Sequence, residues 1–176
     1  MAGAVLITLQ DKLMKTVNIL LASGDRRTNN IVQTLILDVC YNRAAVNCVQ
    51  TARVDELLAR GGREGFDLVL VSPDHLVAEP SRRSTAVSTV EVARAVSSIK
   101  RQRAVPVIAV DVSVEDELPL SEGGADSVLR CPLNGEVLRA EVHRLLHLPQ
   151  PENETEPTRG SLAGLILRSL HLLKSA

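Results

Sequence analysis

Phe66-Asp-Leu-Val-Leu-Val-Ser-Pro-Asp74 is the stretch that decides the fold. From Asp67 to Val71 it is apolar at successive positions, without the alternation of a half-buried strand, so it reads as a strand covered on both faces, the situation of a central parallel strand between two layers of helices. It stops at Ser72-Pro73-Asp74, a turn signal. Upstream, Thr16-Val-Asn-Ile-Leu-Leu-Ala22 is a second apolar run, broken by Ser23-Gly24-Asp25. The segment from Arg27 to Cys40 then places Ile31, Leu35 and Val39 at helical spacing. Arg43 to Gln50 is rich in strand formers, and Thr51 precedes a helix carrying Val54, Leu57 and Leu58 that Gly61-Gly62 stops.

Downstream, a polar stretch with Pro80 leads to a predicted helix from Val87 to Lys100, with Val90, Ala93, Val96 and Ser97 on one face. Its basic end, Lys100-Arg-Gln-Arg103, suits a helix C-terminus. Pro106 to Val110 reads as a fourth buried strand, Asp111 to Gly124 as a loop with at most a short helix, and Asp126 to Arg130 as a fifth strand. Asn134 caps a last helix that runs to His147. Strands alternating with helices predict an α/β domain whose parallel sheet has right-handed crossovers, with its site at the carboxyl ends of the strands.

Composition narrows the function. Of 176 residues 45% are apolar and 23% charged, ordinary for a folded domain. Twenty basic residues against 21 acidic ones give a net charge of −1, so no global field favours nucleic acid or anionic lipid. Tyr41 and Phe66 are the only aromatic residues, which excludes stacking platforms for bases; direct nucleic-acid binding is not expected. No apolar run reaches the roughly 20 residues that span a bilayer. Met1 to Leu13 lacks a basic n-region and a cleavage site, so a cytoplasmic location is the expectation. Cys40, Cys48 and Cys131 are odd in number without CxxC spacing, which predicts buried, reduced thiols.

The chain divides into an N-terminal extension (1–15), the α/β domain (16–148), an acidic, Pro-rich linker (149–160) and a C-terminal segment (161–176). In the last, Leu162, Leu165, Ile166, Leu170 and Leu173 share one face of an amphipathic helix, a candidate surface for a partner or a second copy.

In order along the chain, NILLASGD (18–25), FDLVLVSPD (66–74), PVIAVDVS (106–113) and GGADSVLRCPL (123–133) resemble the landmarks of the CheY-like receiver domains of response regulators, over residues 16 to 148. The resemblance implies a flavodoxin-like, doubly wound sheet of order 2-1-3-4-5 with helices on both faces. In that family two carboxylates and an acceptor aspartate hold Mg²⁺ for phosphoryl transfer, while Lys and Thr bind the product. Here the acidic pair aligns with Ser23 and Gly24, the acceptor with Ser72, the Thr with Asp111 and the Lys with Cys131. A serine hydroxyl without an activating base replaces neither a metal ligand nor a carboxylate nucleophile.

The resemblance therefore implies a pseudo-receiver: not an enzyme, without cofactor or metal, acting in two-component signalling through protein contact. Its partners would be a kinase, a transcription regulator or a second copy, and its output surface would correspond to Val114 to His147. Two finer possibilities accompany it. Asp25, Asp74 and Asp111 fall near one edge and would form a relocated cation site, although turn caps use the same residues; a small-molecule or metal-ion sensor working from the old pocket is the alternative function. His143 and His147, at i, i+4, lack a third ligand nearby in sequence, and Arg82-Arg83-Ser84-Thr85 has a kinase-site pattern that a solvated loop shares.

Overall fold

The computed structural model describes residues 15–41, 43–78 and 87–148. Five strands, β1 (Lys15–Ala22), β2 (Ala44–Thr51), β3 (Leu68–Val71), β4 (Val107–Val112) and β5 (Ser127–Arg130), alternate with α1 (Arg26–Cys40), α2 (Val54–Gly61), α3 (Thr89–Gln102), α4 (Glu117–Glu122) and α5 (Gly135–Leu145). A single 3-10 turn, Pro73–His75, follows β3. Every strand pair is parallel, and the order is β2-β1-β3-β4-β5.

The two-sided burial read from Leu68 to Val71 has a direct cause. Leu68 and Leu70 point into one core with Ile19, Leu21, Ile108 and Val110, covered by Val32, Ile36 and Val39 of α1 and Leu138 and Val142 of α5. Val69 and Val71 point into the other, with Leu20, Ala22, Val107 and Ala109, covered by Leu57 of α2, Val92, Val96 and Ile99 of α3 and Leu120 of α4. The sheet thus separates two apolar layers, and its central strands have no solvent face.

Local chemistry fixes where the helices begin. Asp25 accepts from Thr28 N at the start of α1, Ser88 and Glu91 form a reciprocal capping box on α3, and Asn134 accepts from Glu136 N and Val137 N on α5. Gly61 has a packing role as well: a Cβ there would lie 2.7 Å from Ile99 Cδ1, so a larger residue would force Ile99 of α3 to shift.

The helix faces read from the sequence hold at Val39, Ala93 and Val96, which are buried, but not at Ile31 and Val90. Ile31 is 54% exposed and Val90 49% exposed, while Val32 and Val92 face the sheet. Apolar residues one or two positions apart fit overlapping helical stripes, and the strand geometry selects between them. The thiols also divide: Cys40 is buried and Cys48 partly buried, but Cys131 is exposed. No helix among the described residues is long and apolar enough to cross a membrane. The leucine stripe from Leu162 to Leu173, the linker and Arg82 to Thr85 lie outside the described residues.

Candidate functional site

The loops after β1, β3 and β4 and the residue after β5 meet at the carboxyl end of the sheet. Ser23 continues β1 by donating its N–H to Thr51 O (2.9 Å), and its buried hydroxyl accepts from Asp25 N (3.2 Å). Gly24 N donates to the carbonyl of His75 (2.7 Å); a Cβ at Gly24 would stand 2.3 Å from that oxygen. The 3-10 turn is therefore laid directly over the backbone of the first loop. Ser72 N donates to Ala22 O (2.9 Å), and the Ser72 side chain is 0% exposed with its hydroxyl unpartnered among the described residues. Asn29, from the first turn of α1, donates to Ser23 O (3.1 Å) and leaves its own buried Oδ1 likewise unpartnered.

The three aspartates have different fates. Asp25 turns back onto its own helix, accepting from Thr28 N and Thr28 Oγ1, both at 2.8 Å, and the backbone bond is the main reason its carboxyl sits below the usual range. Asp74 is an exposed residue of the 3-10 turn. Asp111 has a left-handed backbone (φ 58°), and its carboxylate lies 3.9 Å from His75 Nε2. Beside it stands Cys131, whose N–H donates to Val112 O (3.0 Å). The thiol is pushed up from its ordinary value, first by its hydrogen bond to Asp111, then by the negative charge of Asp111, with a smaller push from Asp74.

The structure thus brings Asp111, Cys131 and His75 together at a rim above the buried Ser23 and Ser72, with Gly24 exposed beside them. Asp25, Asp74 and Asp111 are not assembled as a cation site: among the described residues no group of three or more His, Cys, Asp or Glu could hold a metal ion, and the same holds for His143 and His147. The expectation of a buried Cys131 is corrected; it lies past the end of β5, where the sheet no longer covers it. His75 and Asn29 were not singled out by the sequence reading. The only signal for His75 was its place right after Ser-Pro-Asp at a strand end.

No protein-family model and no curated protein matches the sequence. Solved structures do. A response regulator from Chloroflexus aurantiacus is 13% identical with a TM-score of 0.58, over 76% of this chain and 99% of that one. The receiver domain of a sensor histidine kinase from Pseudomonas aeruginosa, with magnesium in its active-site cleft, is 15% identical with a TM-score of 0.57, over 75% and 98%. A pilus assembly-related protein from Burkholderia pseudomallei is 24% identical with a TM-score of 0.55, over 74% and 90%. These likenesses establish the flavodoxin-like receiver fold.

Proposed function

We propose that the chain is a regulatory module of receiver fold that acts by protein contact, without aspartyl phosphorylation at its strand ends and without catalysis. The observation that carries this reading is Ser72. It occupies the end of β3, where the resemblance puts a phosphoacceptor carboxylate, yet its side chain is neutral, wholly buried and cut off from solvent. Phosphoryl transfer to an aspartate needs an exposed carboxylate beside a divalent cation. At this site the buried residues offer two hydroxyls, and the nearest rim carboxylate, Asp111, faces a thiol and an imidazole.

The fold of the neighbours suggests protein partners of the kind found in two-component signalling, kinases among them. The likeness to a pilus assembly-related protein adds a second class of setting, a module within a larger assembly. The test is direct: the purified chain is incubated with acetyl phosphate and Mg²⁺ and its intact mass measured. An unchanged mass is expected; an adduct mapped to Asp74 or Asp111 would overturn the reading.

A further inference from the structure

The two edges of the sheet are built differently. At one edge β5 is four residues long, its register with β4 shifts between Ala109 and Val112, and Arg130 is exposed and ion-paired with Glu117 (2.6 Å). Short length, a shift in the ladder and charge are the usual means of keeping an edge from pairing with another chain. At the other edge β2 has none of them. It runs for eight residues, Ala-Ala-Val-Asn-Cys-Val-Gln-Thr, without a charge or a proline, in unbroken register with β1. Among the described residues its only strand partner is β1.

The direction of the β2 N–H and C=O groups that have no strand partner among the described residues follows from one contact. Thr51 O accepts from Ser23 N, so Thr51 and its alternates face β1. Ala44, Val46, Cys48 and Gln50 therefore turn their N–H and C=O groups outward. Helix α1 supplies a side-chain surface next to them. Gln50 Nε2 donates to Gln33 Oε1 (3.1 Å), which ties the edge strand to a helical stripe that continues through Leu37 and Tyr41. These two large side chains are 49% and 73% exposed.

We propose that the β2 edge is a self-association surface on which two copies of this chain pair antiparallel about a two-fold axis at Asn47. That register sets Ala44 opposite Gln50 and Val46 opposite Cys48, so all four outward residues fall in hydrogen-bonded pairs; no other antiparallel register uses them all. The uncharged strand meets itself without repulsion. The same axis brings the two α1 helices side by side on one face of the joined sheet, with Leu37 and Tyr41 covered by the stripe of the second copy. On the opposite face Asn47 meets its counterpart in a non-hydrogen-bonded pair, where Cα atoms come within about 4.5 Å. This surface is distinct from the strand-end site, and its test is independent of the reading given there.

Light scattering on the full chain over a concentration series should show a dimer. Leu37→Glu/Tyr41→Glu, at positions exposed in the single chain, should raise the dissociation constant about tenfold or more while leaving the melting temperature of the monomer in place. Asn47→Cys in a Cys131→Ser background should form an intermolecular disulfide under mild oxidation, because the pair geometry fits one. A monomer throughout, a dimer that ignores the α1 double change, or an Asn47→Cys chain that stays unlinked would each overturn the proposal.

Discussion

Replacing Gly24 by alanine would push a methyl group to 2.3 Å from the carbonyl oxygen of His75 and 3.5 Å from its carbon. Roughly an ångström of separation must be found, and the obstacle is backbone. The His75 segment is itself pinned, with Leu76 N donating to Pro73 O (3.3 Å) and Val77 N to Ala52 O (2.9 Å). Overpacking of this kind costs about 1–3 kcal/mol. Moving the carbonyl away also weakens its 2.7 Å bond from Gly24 N, a loss of about 1 kcal/mol. A total near 3 kcal/mol should lower the melting temperature by about 6–12 °C for a chain of this length. The control is Gly65→Ala, where a Cβ meets nothing within 4 Å and reduced freedom of the unfolded chain should add about 0.4–1 kcal/mol of stability. Thermal and urea unfolding followed by circular dichroism, with equal m-values, would make the comparison. A Gly24→Ala chain that melts with the wild type, or a Gly65→Ala chain that falls as far, would refute the account of the first loop as a close backbone contact.

Ser72→Ala should stabilise the chain by about 1 kcal/mol in urea titrations, since it removes a buried hydroxyl that has no partner; a loss of stability would mean the hydroxyl is bonded. Asp25 has a carboxyl held below its ordinary 3.8. Its cap is therefore complete above about pH 4 and fades as the pH falls below that, so Asp25→Asn, which caps without titrating, should flatten the acid limb of the stability curve. An unchanged acid limb would count against the cap. Asp111→Asn removes the main cause of the raised Cys131 thiol, and alkylation of Cys131 by iodoacetamide near pH 8 should become faster. Equal rates would show that Asp111 does not govern the thiol.

Much of the architecture was legible because it depends on period and punctuation. The unbroken apolar run from Leu68 to Val71, the Ser23-Gly24-Asp25 break and the cap at Asn134 each report a local requirement that any parallel α/β sheet imposes. The choice between Ile31 and Val32, or between Val90 and Val92, was not legible, because both members of each pair fit a helical stripe and only the position of the sheet separates them. At the site, the alignment named Ser23, Gly24, Ser72, Asp111 and Cys131, which lie at or just past the carboxyl ends of β1, β3, β4 and β5. What no spacing announces is a carbonyl: the His75 oxygen over Gly24 is a backbone contact between segments about fifty residues apart. Asp25 illustrates the opposite limit. Its type suits both a cap and a cation ligand, and only the path of its side chain toward Thr28 decides between them.

The guarded edge at β5 limits what the open one can build. A sheet with one pairing edge has a valence of one, so any strand added at β2 ends the growth of the assembly there. Were β5 as long and bare as β2, each added copy would present a fresh edge and the sheet would lengthen into a fibre. In the proposed dimer, the shift between Ala109 and Val112 and the Arg130–Glu117 pair would act as a chain terminator on the far side of the sheet from the pairing strand.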